Sequence, residues 1–110
     1  MPNDDICTNL FHQPDQRLEM ELTEKVLKSG AVRIERIISQ GHTSPDDFWY
    51  DLNEHEWVSL LEGQAVIQFD DGSSKHLTRG DHCFIPAHTR HRVQSTSTSP
   101  AAIWLAVFFK

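Results

Sequence analysis

The feature that most constrains this chain is the spacing of its turn residues. From Gly30 onward, short runs of β-branched and aromatic residues are interrupted at roughly ten-residue intervals by Gly30, QGHTSPDD, Glu62–Gly63, Asp71–Gly72, Arg79–Asp81 and the PAHTR corner. The runs so defined are ELTEKVLKS, AVRIERIIS, EWVSLL, QAVIQF, SKHLT, HCFIP, HRVQS and AAIWLAVFF. Each alternates apolar with polar residues or is continuously apolar, as half-buried and buried strands do. In the second run Val32, Ile34 and Ile38 share one face. Asp71-Gly72 is a hairpin signal, and the polar stretch QSTSTSP reads as a loop. Seven or eight strands in this rhythm predict an all-β antiparallel sandwich or barrel. A helix over Leu18 to Lys28 is the alternative for the first run, since Leu18, Leu22 and Leu27 would share a helical face. Residues 1–17 carry no period and predict an irregular N-terminal arm, leaving a barrel domain over 18–110.

Length and charge narrow the function. A chain of 110 residues favours a single domain with a modest core. Ten Lys and Arg against sixteen Asp and Glu give a net charge of −6, and no basic stripe is available to neutralise a phosphate backbone. Nucleic acid is therefore not expected as a partner. The longest apolar run, Ala101 to Phe109, is about half the ~20 residues of a membrane-spanning helix and reads as a buried strand. MPNDDICTNLF has neither a basic leader nor an apolar core of the secretory type, so a cytoplasmic location is expected. Cys7 and Cys83 lack metal-type spacing. In a reducing compartment both are expected as free thiols, with Cys83 a small core residue.

GDHCFIPAHTRHRV, residues 80–93, contains Gly80, five residues, Pro86, His88 two positions on, and His91. This resembles the second motif of the cupin superfamily, in which Gly, Pro, Gly, His and Asn follow one another at fixed spacing. Gly80, Pro86 and His91 fall in register, whereas His88 stands where the motif has Gly and Ser95 where it has Asn. Upstream, Glu56, six residues and Gly63 resemble the end of the first cupin motif, where a metal-binding Glu precedes a Gly turn. The paired His of that motif should precede Glu56 by three or four residues. Four lands on Trp49 and Asp51, three on Tyr50 and Leu52. The resemblance covers roughly Arg33 to Phe109 and extends to small single-domain cupins that carry WYD before EW and HRV after PAH.

The resemblance implies a jelly-roll barrel, the double-stranded β-helix, with a small-molecule pocket at one end and a divalent-metal site formed by Glu56, His88, His91 and Asp51. Imidazole nitrogens and carboxylate oxygens suit Zn, Mn, Fe or Ni, and two His with one carboxylate are the minimal set for non-haem iron chemistry. In this scheme His88 supplies the imidazole that Trp49 and Asp51 do not. Such a site serves either a metal-dependent enzyme acting on a small metabolite or a non-catalytic sensory module. The competing expectation is a barrel without a metal, in which His88 caps the corner and Glu56 pairs with Arg90 or Arg92. With a strand starting near Glu56, Val58 and Leu60 share its face and His55 points the other way. Trp49, Trp57 and Trp104 are candidates for core or pocket wall, with Trp49 placed to close over a ligand. His12, His42, His76 and His82 follow no ligand spacing. No nucleophile elbow, phosphate-binding Gly loop or HExxH motif is present. A homodimer is expected, with the terminal apolar run extending a sheet or packing against a partner.

Overall fold

A computed structural model describes residues 7–110, so the first six residues of the proposed N-terminal arm lie outside the described residues. Eight strands follow in order: β1 (Leu22–Ser29), β2 (Val32–Ser39), β3 (His55–Glu62), β4 (Gln64–Phe69), β5 (Ser74–Thr78), β6 (His82–Ile85), β7 (His91–Thr96) and β8 (Ala102–Phe109). Every pairing between them is antiparallel. The helical alternative for Leu18 to Lys28 gives way to β1, which pairs with β2 along its length and bulges between Lys25 and Leu27. Its leucines find partners across a sheet rather than along a helix.

The strands form two sheets, a five-stranded one in the order β1-β2-β8-β3-β6 and a three-stranded one in the order β5-β4-β7. β8 lies at the centre of the larger sheet, hydrogen-bonded to β2 on one side and β3 on the other. Its inner face presents Ala102, Trp104, Ala106 and Phe108, all at most 5% exposed, which pack with Val58, Leu60 and Ile85 of the same sheet and with Ala65, Ile67 and Leu77 of the other. Burial of this set supplies the main hydrophobic stabilisation. The central place of β8 also corrects the expectation that this run extends a sheet to a partner, because neither of its edges is free.

Strand alternation makes the two faces of β2 different. Ile38 pairs with Ile103 on the outer face and forms, with Ala101, a second small cluster covered by Leu18, Leu22 and Leu61. The inner face carries Arg33, Glu35, Ile37 and Ser39. On the outer face the buried Arg36 binds Glu24 of β1 and the carbonyls of Leu10 and His12, tying the N-terminal segment to the sheet.

Gly63, the end of the first motif, makes the β3–β4 turn at φ +86°. A Cβ there would lie 2.6 Å from Ser97 Oγ, 2.7 Å from the Ala101 carbonyl oxygen and 2.8 Å from Ala102 Cα. Both the dihedral and the space require glycine. Gly63→Ala is expected to lower unfolding stability by roughly 2–5 kcal/mol, the sum of left-handed strain and a backbone clash. Urea denaturation checks this, and a loss under about 1 kcal/mol would contradict the tight approach.

Candidate functional site

Between the inner faces of the two sheets lies a cavity of about 190 Å³ that opens to solvent beside Glu21 and Thr23. Val58, Ile67, Ile85, Trp104 and Phe108 give it buried apolar walls, and Glu21, Arg33, Glu35, Glu56 and His91 bring charge to it. β3 delivers Glu56 and Val58 inward while His55 points outward between Phe84 and Phe109, as alternation requires.

His91 begins β7 and is 6% exposed. Its Nδ1 lies 2.8 Å from the Thr89 carbonyl oxygen, which can only accept, so Nδ1 carries a proton. Nε2 then faces Glu56 Oε1 at 3.4 Å, an ion-pair distance that is favourable when Nε2 is protonated as well. Burial pulls the imidazole pKa down. The Glu56 carboxylate, with a smaller contribution from the Thr89 carbonyl, outweighs this and holds it above its usual 6.5. Tyr50 stacks on the ring, centroids 5.3 Å apart and planes 26° from parallel. Reciprocal backbone bonds between Tyr50 and His91, 2.7 and 3.2 Å, hold that stack in place. Burial raises the phenol pKa above 10.0, with further upward contributions from Glu21, Glu56 and Glu35, so Tyr50 remains a neutral phenol. The result is an imidazole–carboxylate ion pair beneath an aromatic ring, able to donate a proton to or accept one from a bound polar group.

The four residues singled out from the sequence fall into two separate pairs. Glu56 and His91 meet in the cavity. Asp51 and His88 meet outside it, Nδ1 to Oδ1 at 2.9 Å, with His88 66% exposed. Neither of the latter lines the cavity, so the structure does not bring His88 and Asp51 together with Glu56 and His91. The cause is backbone geometry: His88 has φ +63°, the left-handed conformation that explains the Gly at this place in the cupin motif. Its N–H donates to the Leu52 carbonyl at 2.8 Å, and the side chain is turned outward. Alternation in the WYD segment does the rest. Pairing of Tyr50 with His91 directs Tyr50 and Leu52 into the cavity, and Trp49 and Asp51 away from it. Trp49 lies under Arg90 instead, 5.8 Å from the guanidinium, so Tyr50 takes the covering role expected of Trp49.

The three-residue spacing is thus the one that faces inward, and the positions where cupins carry paired His hold Tyr50 and Leu52. Neither is a metal donor in its neutral form. Among the described residues no three His, Cys, Asp or Glu side chains gather in a way that could hold a metal ion. Two donors, Glu56 and His91, fall short of the three that open catalytic sites use. The residues present therefore do not fit a resident divalent metal.

The expected pairing of Glu56 with Arg90 or Arg92 is also replaced. Arg90 reaches Asp70 at 3.8 Å, and Arg92 binds Gln68 and the Ser44 and Pro45 carbonyls. Sequence reasoning missed Glu21, Arg33 and Glu35. Arg33 Nε donates to Glu35 at 3.0 Å and NH1 to Glu54, while the guanidinium lies 4.0 Å over the Phe108 ring. Glu21 accepts from Ser39 Oγ at 2.6 Å, and that hydroxyl accepts from Trp104 Nε1 at 3.3 Å. The available signal was period two: Arg33 and Glu35 share a strand face with Ile37, opposite to Val32, Ile34 and Ile38. Cys83 packs against the core, and burial raises its thiol pKa, which suits a structural residue.

Comparison with known proteins agrees with this architecture, an antiparallel barrel of the cupin type with a cavity between its sheets. The cupin domain model matches residues 37–108. A Ralstonia eutropha JMP134 protein put forward as a mannose-6-phosphate isomerase is 36% identical over 94% of this chain and 97% of its own, with a TM-score of 0.89. A cupin superfamily protein of Desulfitobacterium hafniense DCB-2 is 21% identical over 87% of this chain and 83% of its own, with a TM-score of 0.73. An RmlC-like cupin of Desulfovibrio desulfuricans is 18% identical over 89% and 97%, with a TM-score of 0.67. The last two bear on the fold alone. No curated protein matches the chain significantly. The chain belongs to the cupin family. Among the described residues no helix is long and apolar enough to cross a membrane.

Two predictions follow from the site geometry. A His whose folded pKa is raised contributes stability that is complete below about pH 6.5 and is lost as pH rises through the folded value. Wild type should therefore exceed Glu56→Gln in stability most between about pH 5 and 6.5, and the difference should shrink above that window. The His91 ring resonance should titrate above 6.5 in wild type and lower in Glu56→Gln. A stability gap that widens with pH would contradict the assigned pair. For His88, replacement by Gly should match wild type or gain about 1 kcal/mol, because relief of the left-handed backbone exceeds the loss of an exposed ion pair. A Tm several degrees lower in His88→Gly would show that the Asp51 contact matters more than the dihedral.

Proposed function

We propose that this cupin is a metal-independent small-molecule-binding protein whose ligand occupies the cavity between the sheets and is held by the His91–Glu56 pair beneath Tyr50. The observation that carries the reading is the position of that pair: a titratable couple with side chains 7% and 12% exposed, opening onto apolar walls. A concave, mostly apolar space with a few convergent polar groups is the usual form of a ligand site. Such a site serves a sensory or carrier module directly. It serves an enzyme only where the ligand needs one proton moved, since His91 and Glu56 supply an acid and a base and no second activated group faces them.

The metal-dependent alternative retains only Glu56 and His91 as donors, so the metal chemistry of other cupins is not carried over. Nor is the isomerase activity put forward for the Ralstonia eutropha relative. Arg33, the guanidinium nearest the cavity, is already matched by Glu35 and Glu54. A cytoplasmic homodimer belongs to the same proposal; its support is the outer sheet face around Phe84, which is 55% exposed beside Phe109 and His55.

A cavity of this volume, 190 Å³, is slightly larger than the ~150 Å³ space that accommodates benzene. A panel of small organic molecules of about six to nine non-hydrogen atoms is therefore the appropriate screen. At a hundredfold excess over its Kd, a true ligand should stabilise the fold by about 2.7 kcal/mol, readily visible in Tm. Ile67→Phe, which fills the cavity, should weaken that ligand at least tenfold while costing about 1–3 kcal/mol of stability. Added Zn, Mn, Fe or Ni should leave Tm unchanged. Near-stoichiometric metal in protein purified without chelator, lost in His91→Ala, would replace this reading with the metal-dependent one.

A further inference from the structure

The charges around the cavity are unbalanced, and the imbalance specifies a ligand. Three carboxylates line it, Glu21, Glu35 and Glu56, against one guanidinium, Arg33, and one imidazole, His91. With His91 protonated the lining carries a net charge of −1, and with His91 neutral −2. Neither cation is free. Arg33 is bonded to Glu35 and to Glu54, a further carboxylate outside the lining, and His91 faces Glu56. Among the described residues no cationic side chain lies within ion-pair distance of Glu21. Among the described residues its one side-chain donor is the buried Ser39 hydroxyl, so a solvent-exposed carboxylate is held at the edge of the cavity by a neutral group.

We propose that the ligand of this cavity is a small amphipathic organic cation, an ammonium or amidinium on an apolar body, with the charged head at the Glu21 carboxylate, beside the Glu35 that Arg33 already holds. The inference rests on the cavity being the ligand site and goes beyond it by naming the ligand class.

Three further observations agree. The aromatic wall already accommodates a cation, because the Arg33 guanidinium lies 4.0 Å over Phe108. The Tyr50 phenol pKa is raised by burial and by Glu21, Glu56 and Glu35 together, so a negative potential acts on the lid. The apolar walls Val58, Ile67, Ile85 and Trp104, all 2–3% exposed, match a hydrocarbon or aromatic body rather than a polyol. The same features oppose a phosphorylated sugar: a dianion finds no uncommitted guanidinium or ammonium, and a hexose phosphate has about twice the atoms that 190 Å³ admits.

The test is a charge series of nearly constant shape, benzylamine, benzyl alcohol and benzoate, with glucose 6-phosphate as a fourth probe. Calorimetric titration is run at low and at 0.5 M added salt on wild type, on Glu21→Gln/Glu35→Gln and on Ile67→Phe. The expected order is benzylamine at least tenfold tighter than benzyl alcohol, with benzoate and glucose 6-phosphate weaker still. In Glu21→Gln/Glu35→Gln the preference for the amine should fall at least fivefold while benzyl alcohol is unchanged, and added salt should reduce the preference in wild type. Equal binding of amine and alcohol, or tightest binding of either anion, overturns the cationic class. If that binding is lost in Ile67→Phe, the cavity stands as the ligand site with a different ligand. Absence of binding by all four probes, or binding insensitive to Ile67→Phe, overturns the cavity reading and this inference with it.

Discussion

Everything in this barrel is referred to β8. A strand bonded to β2 on one side and β3 on the other fixes the register of both, and those registers place the site. Arg33 is opposite Phe108, Ile37 opposite Trp104 and Glu56 opposite Phe108 because β8 sets them there. The inner face of β8 alternates small and large residues, Ala102, Trp104, Ala106, Phe108. In a small barrel such alternation decides how much of the interior is filled. Here Trp104 and Phe108 reach the cavity as walls, while the Ala106 methyl between them adds no bulk where Glu35 and Val58 approach. A slip of one residue would send Trp104 outward and Ile103 inward and remove the space altogether.

The polar part of the site follows from that frame by period two. One face of β2 carries Val32, Ile34 and Ile38 around the single charge of Arg36, the other mixes Arg33 and Glu35 with Ile37 and Ser39, and it is the more polar face that turns inward. Ordinary reasoning would turn the apolar face to the core. The outcome is reversed because the outer face has its own apolar cover in Leu18, Leu22 and Leu61 over Ile38 and Ile103. Charged groups on an inner face are costly unless they are paired. The pairs Arg33–Glu35, Arg33–Glu54 and His91–Glu56 meet that requirement for most of them. Glu21, held by the Ser39 hydroxyl, needs no such partner because it is exposed to water.

The strands were legible in the sequence because glycine, Asp-Gly and proline punctuate them and because β-branched residues fill the intervals. The all-β class and the seven or eight strands came from that punctuation, and the cupin resemblance from Glu56, Gly63, Gly80, Pro86 and His91 at motif spacing. The site was legible only in part. Glu56 and His91 lie on regular strands at motif spacing, and the structure brings them together. His88 and Asp51 were read by spacing along the chain, whereas their directions are set by backbone states that spacing does not encode. His88 sits at positive φ, and the WYD segment has a parity fixed by its pairing with His91. Glu21, Arg33 and Glu35 were missed because their exposure depends on which face of the first hairpin is covered by the N-terminal segment. That is a tertiary outcome, beyond the reach of local pattern.

The cupin motifs separate, in this chain, into a backbone requirement and a side-chain requirement, and only the first is fully kept. Gly63 at φ +86° and Gly80 at φ +91° hold turns that a side chain would strain. Even the substituted motif position keeps the dihedral, since His88 adopts the left-handed conformation that glycine would take more readily. The inward positions of the WYD segment, by contrast, hold a phenol and an isobutyl group in place of imidazoles. A barrel can change in that way without unfolding, because strand registers and turn dihedrals are fixed independently of what the cavity contains. Removing two donors leaves Glu56 and His91 facing each other at 3.4 Å. An imidazole with a proton fixed on Nδ1 then satisfies the carboxylate best by holding a second proton on Nε2. The two residues that stand at metal-ligand positions of the cupin motifs therefore become, under Tyr50, an ion pair that opens onto the cavity.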